Sequence, residues 1–146
     1  IIYAADYRWW MEYHKRVKVE SNAELWCASS TGAREFGLNH VNLLPGAGWS
    51  KRYGYAHTGS LSGFQAMQVA GWQKPERIIL LGYDMKHSEG KTHWHGDHPL
   101  GWPNCPNLEK QRDGFSILAE QADVPIINCT RDTALECFDM KRLEEL

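Results

Sequence analysis

At 146 residues the chain is long enough for one domain with a real core, and 42% of it is hydrophobic. A net charge of −2 and a pI near 6.4 leave no electrostatic footprint for nucleic acid. No apolar run approaches the roughly 20 residues needed to span a bilayer, so no membrane partner is expected.

The amino end lacks a basic segment followed by an apolar one, so no secretory leader is expected. The four cysteines, Cys27, Cys105, Cys129 and Cys137, show no CxxC spacing. Cys27 and Cys129 end strand-like runs, where a small buried thiol is the usual occupant. Reduced thiols fit a cytoplasmic protein. The chain begins inside a strand-like run, Ile1-Ile2-Tyr3-Ala4, so a first strand and its loop are expected to be missing before it.

Residues 1–5 read as a short strand ending at Asp6, which is placed to cap a helix over residues 7–17. Residues 24–28 read as a second strand, followed by Ser29-Ser30 and a helical turn over residues 33–36 that stops at Gly37. Residues 39–44 alternate weakly, as at a sheet edge, and residues 49–58 read as a loop. The strongest helix covers residues 60–73, with Leu61, Phe64, Met67 and Gly71 on one stripe, and Lys74-Pro75 ends it. Residues 77–82 hold four consecutive branched apolar residues, the pattern of a central parallel strand covered on both faces. A long polar loop follows over residues 83–109, a length that usually carries function. A helix over residues 109–122, a strand over 124–128 and a tail with a short terminal helix complete the chain.

Strands alternating with helices predict a single α/β domain, a three-layer Rossmann-like fold with a mostly parallel sheet. Ligands bind such sheets at the carboxyl ends of strands. Here those ends carry Asp6, Ser29, Asp84 after Gly82-Tyr83, and Thr130. Ser60-Leu61-Ser62-Gly63 opens the central helix, whose first N–H groups lack intrahelical partners and favour an anion. The structural alternative makes Ser60 an N-cap and Gly63 a packing position. Neither GxxxxGK[ST] nor GxGxxG occurs, so conventional ATP and NAD sites are not supported.

The loop carries His87, Lys91, His93, His95, Asp97 and His98. The spacing His93-x-His95-x-x-His98 with Asp97 is dense enough for a divalent metal, but no cysteine joins it and it matches no named zinc motif. Phosphate binding or acid–base work by His93 and His87 is the favoured reading, with Asp84 as the third catalytic candidate. Trp9, Trp10, Trp49, Tyr53 and Tyr55 either line a stacking pocket or pack in the core.

Three stretches carry a resemblance: Ser60-x-Ser62-Gly63-Phe64-Gln65-Ala66, Arg77-Ile78-Ile79-Leu80-Leu81-Gly82-Tyr83-Asp84-Met85 and Gly90-Lys91-Thr92-His93-Trp94-x-Gly96-Asp97-His98-Pro99. Together with the carboxyl-terminal residues they resemble phage and prophage proteins of unassigned function over most of the chain. Through Ser62-Gly63, Gly82-Tyr83-Asp84 and His93 the chain is similar to a Rossmann-like family. That family holds motility-associated glycosyltransferases, 6-hydroxymethylpterin diphosphokinase and, more distantly, bacterial sialyltransferases. The resemblance implies a site for a nucleotide or nucleotide sugar. Ser60, Ser62 and Gly63 would face its phosphate or ribose, Asp84 would sit beside the donor, and His93 with Lys91 would neutralise the leaving phosphate. The Gly-rich first strand-turn of those relatives would lie before Ile1.

The expected function is therefore a glycosyltransferase-like transferase using a nucleotide-activated donor, with Asp6, Ser29, Tyr83 and Thr130 as further ligand contacts. No cofactor is firmly implied, and a homo-oligomer is the protein partner the sequence leaves open. The alternatives are a metal-dependent hydrolase built on the histidine loop and a non-catalytic phage accessory or structural protein.

Overall fold

The computed structural model of the chain describes residues 1–87, 102 and 108–146. It is a mixed α/β structure whose strand pairs are all parallel. The chain divides into two compact units, Ile1–Pro75 and Glu76–Leu146.

The first unit runs β1 (Ile2–Ala4), α1 (Tyr7–Glu20), β2 (Leu25–Cys27), α2 (Ser30–Phe36), β3 (Asn39–His40), β4 (Asn42–Leu44), β5 (Tyr55–His57) and α3 (Ser62–Gly71). β2 lies between β1 and β3, and β4 pairs with β5. The weakly alternating segment is thus two strands that share one extended stretch. Val41, fully buried between them, donates its N–H to the Cys27 carbonyl at 2.9 Å. The register sets Tyr3 beside Trp26 and Ala4 beside Cys27. Because side chains alternate along a strand, neighbours in register share a face. Cys27 packs with Trp10, Ala33 and Phe36 beneath α1 and α2. Trp26 instead packs with Val41, Ala56 and Val69, the last from α3.

α2 ends as its sequence predicts, because Gly37 takes the left-handed conformation (φ 63°) that a residue with a Cβ adopts only at a cost. Asp6 occupies the N-cap position of α1, but its side chain makes no capping hydrogen bond. α3 starts later than expected. Its N-cap is Leu61, with extended backbone, and Ser60 stands outside the helix in the left-handed region (φ 61°). Ser62 and Gly63 are its first two residues. The segment read as a loop over residues 49–58 contains β5, three residues that are too few to register a period.

α3 is fastened to β5 by buried side-chain amides. Gln68, with no exposed surface, accepts from the N–H groups of Ser50 (3.1 Å) and His57 (2.9 Å). Its amide nitrogen donates to the carbonyls of His57 (3.0 Å) and Phe64 (3.4 Å). A primary amide has two donors and two acceptor sites, so all four are used.

The second unit runs β6 (Ile78–Leu80), α4 (Leu108–Gln121), β7 (Ile126–Asn128), β8 (Asp139–Met140) and a 3-10 turn at Leu143–Glu145, which stands where the terminal helix was expected. The sheet order is β6-β7-β8. The apolar run over residues 77–82 is therefore not a central strand covered on both faces. Among the described residues β6 pairs with β7 alone, and Ile79 and Leu81 are 38% and 58% exposed. The strand buried along its whole length is β7. The buried ring of Phe115 anchors α4, edge-on to Tyr83 and to Phe138.

Replacing Gln68 by Leu should strand two backbone N–H groups and one strand carbonyl in the core. At roughly 1–3 kcal/mol for each unsatisfied buried group, the variant should lose at least about 3 kcal/mol of stability. Urea unfolding against the wild type measures this, and a loss below about 1 kcal/mol would show that the amide is not what joins α3 to β5.

Candidate functional site

Parallel strands bring their carboxyl ends to one edge, and in the first unit that edge is a cavity of about 380 Å³. Asp6 and Ser29 each lie two residues past a register pair, Ala4 and Cys27, so the pairing of β1 with β2 carries them to the same place. The Ser29 N–H donates to the Ala5 carbonyl at 3.2 Å, continuing the ladder to the lip. Asp6, Ser29, Thr58, Ser60, Ser62 and Gln65 line the cavity. Four of the expected ligand contacts are thus brought together, from the ends of β1 and β2 and the start of α3.

Each contributes differently. The Asp6 carboxylate is exposed and free of the capping bond expected of it. The Ser29 hydroxyl accepts the Gly32 N–H at 3.1 Å and so caps α2, which leaves its own O–H to donate elsewhere. Ser60 is not a cap. It stands at the cavity's lip, in a turn whose backbone is left-handed at both Gly59 and Ser60. A Cβ on Gly59 would fall inside the buried Phe64 ring, so the turn can pass there only with glycine. Gly63 is the second residue of α3 and does not line the cavity.

Sequence reasoning missed Gln65. It is buried, accepts a short hydrogen bond from the Tyr3 hydroxyl, and donates to the Thr58 carbonyl at 2.7 Å. Burial, with lesser contributions from Cys27 and Asp6, pushes the Tyr3 phenol well above its ordinary range, so Tyr3 is held as a neutral donor. The signal was a polar residue three positions before Gln68 on a helix face otherwise apolar. The Cys27 thiol, pushed up by burial, donates to the Ala5 carbonyl at 3.5 Å and is a packed core group.

In the second unit the carboxyl ends of β6, β7 and β8 border another cavity, of about 1030 Å³, and Asp84 and Thr130 line it. Its walls are set by Asn128, which has no exposed surface. The Asn128 side chain accepts the Thr130 N–H (3.0 Å) and donates to the Leu135 carbonyl (3.2 Å) and to Thr133 Oγ1 (3.5 Å). Thr130 Oγ1 in turn accepts the Tyr83 N–H at 2.9 Å, and the Thr133 hydroxyl donates to the Tyr83 carbonyl at 2.6 Å. The Asp84 carbonyl accepts the Ala134 N–H at 2.8 Å. The Thr130 side chain thus supports the loop, the Tyr83 ring packs on Phe115, and the half-buried Asp84 faces the cavity.

His87 is exposed and lines neither cavity. Lys91, His93, His95, Asp97 and His98 lie outside the described residues, and with them both the phosphate-neutralising role and the metal alternative. Among the described residues no three His, Cys, Asp or Glu side chains are grouped to hold a metal, and no helix is long and apolar enough to cross a membrane. Of the two readings of the aromatic residues, a stacking pocket or core packing, the placement of Trp10 and Trp49 favours packing. Trp10 is buried against the core and donates to the Ala4 carbonyl, Trp49 packs on Gly71, Tyr53 meets Trp26 and Trp72, and Arg52 lies over Tyr55.

No protein-family model, curated protein or solved structure matches the chain.

Burial pushes the Tyr83 phenol up to about 12, against 10.0 for a free tyrosine. The neutral form is the one the fold accommodates, so this stability is complete below about pH 10 and is lost as the pH rises towards 12. Over that window the wild type should lose about 2 kcal/mol more than the Tyr83→Phe variant. Tyr3 titrates in the same direction in both proteins and cancels. Denaturant unfolding at stepped pH reads the difference, and parallel profiles would place the phenol in water.

Proposed function

We propose that the chain is a nucleotide- or nucleotide-sugar-binding transferase, glycosyltransferase-like, of phage or prophage origin and acting in the cytoplasm of a bacterial host. The scaffold is read as a three-layer Rossmann-like sheet. The reading is supported by the packing of α1 and α2 on the Cys27 side of β2 and of α3 on the Trp26 side.

The observation that carries the proposal is the convergence of Asp6, Ser29 and Ser62 on one cavity at the carboxyl edge of parallel strands and at the start of α3. The chemistry follows from these groups. The start of a ten-residue helix sets partial positive charge where a phosphate would lie. The Ser62 hydroxyl adds a donor at the same point. A carboxylate at the carboxyl end of a parallel strand can accept hydrogen bonds from a ribose diol, and Asp6 has no helix-capping bond to give up. The volume lies within the range of small-molecule sites. In the transfer itself, charge developing on the leaving phosphate would be met by the α3 start and the Ser62 hydroxyl.

Calorimetric titration with CMP, UDP and GDP sugars tests the reading. One of them should bind, Ser62→Asp should weaken it more than tenfold by setting a carboxylate against the phosphate, and Asp6→Ala should weaken the nucleotide more than inorganic phosphate. Binding of none of these sugars overturns the proposal.

A further inference from the structure

We infer that the cavity of the second unit is a separate binding site for a sugar phosphate, or an equivalent polyol carrying one anionic group. The inference goes beyond the nucleotide reading and does not depend on it.

Three cations border this cavity from two strand ends: Arg131, after β7, and Lys141 and Arg142, directly after β8. Among the described residues none of the three has a carboxylate within ion-pair distance, whereas Lys86, nearby, is paired with Asp132. Cations without an ion-pair partner attract a phosphate, and guanidinium groups match its geometry with paired N–H donors.

The acidic groups restrict the ligand. Asp84, Asp132, Glu144 and Glu145 border the same cavity, Asp132 in an ion pair with Lys86. Glu145 is partly used, since it accepts the Arg142 N–H at 3.2 Å. A ligand that is anionic throughout, such as a polyphosphate, would meet these carboxylates and be repelled. Hydroxyl groups would instead donate to them. Leu81, Met140 and Leu143 add apolar surface to the wall, each at least half exposed and suited to the C–H face of a sugar ring.

The site is also built to hold its shape. Tyr83 and Asp84 are fixed through their backbone by Thr130, Thr133 and Ala134, which the buried Asn128 amide organises. None of these bonds uses the Asp84 carboxylate, so its backbone is held while its side chain is left to a ligand. A platform with its polar backbone satisfied and its acidic side chain unassigned is what a preorganised hydroxyl acceptor requires.

The test uses the full chain and three probes, glucose 6-phosphate, glucose and inorganic phosphate, followed by amide NMR shifts. Glucose 6-phosphate should bind saturably below about 10 mM and at least tenfold more tightly than glucose or phosphate alone. Arg131→Ala and Arg142→Ala, both at exposed positions that leave the spectrum folded, should each weaken it about tenfold or more. Asp84→Asn should weaken glucose 6-phosphate while leaving phosphate unchanged. Shifts should centre on residues 81–84, 129–132 and 140–145, apart from those of Ser29 and Ser62 that a nucleotide would move. Absence of saturable binding overturns the inference. So does binding that survives both arginine variants, or that inorganic phosphate reproduces in full. A failure of nucleotide sugars to bind leaves these outcomes unaffected.

Discussion

Each unit depends on a buried primary amide that satisfies backbone groups no strand or helix reaches. Gln68 reads the edge of β5 as another strand would, accepting from the His57 N–H and donating to the His57 carbonyl. Asn128 does the equivalent work at the end of β7, where it holds the loop over residues 130–135. Short strands make such groups necessary. Strands of two or three residues cannot satisfy their own ends by pairing, and an unpaired buried polar group costs more than a made hydrogen bond returns. Side-chain amides fill the deficit because they carry donor and acceptor together in the geometry of a peptide.

The same economy shapes the candidate sites. Gln65, one turn before Gln68, holds the Thr58 carbonyl and is held by Tyr3, so the turn leading into α3 is fixed from both sides. Ser62 then faces the cavity from a helix start whose position is set elsewhere. In the second unit, Thr130 and Thr133 spend their hydroxyls on the Tyr83 backbone, which fixes the Asp84 loop without using its carboxylate. The cavity walls of both units therefore mix polar groups that hold the fold, such as Gln65 and Thr130, with groups such as Asp84 that these bonds do not use.

Much of the element order was legible in the sequence. The strand-like runs at residues 1–5, 24–28 and 124–128 and the helices following Asp6 and Ser60 were read from apolar periodicity and turn residues, and they fall where the structure has them. β5 was not legible, because Tyr55-Ala56-His57 is a strand only by virtue of β4 beside it. The run at residues 77–82 was misplaced as a central strand because four branched apolar residues in succession do not reveal which neighbours a strand has. Asp6, Ser29 and Ser62 were identified from the rule that parallel strands bind at their carboxyl ends, and the register of β1 and β2 joins them. Thr130 and Tyr83 were drawn from the same rule, and in the structure their bonds and packing support the loop itself. The buried roles of Gln65, Gln68 and Asn128 were missed because a search for apolar stripes passes over the polar residue that interrupts one.

Val41 carries a consequence for how the first unit tolerates changes in length. A single residue separates the stretch that pairs with β2 from the stretch that pairs with β5. Side chains alternate strictly, so one residue inserted or deleted there would exchange the two faces of Asn42–Leu44 while leaving Asn39–His40 in place. The loops at residues 45–54 can lengthen at little cost. Position 41 cannot, and variation in length among related chains should stop on either side of it.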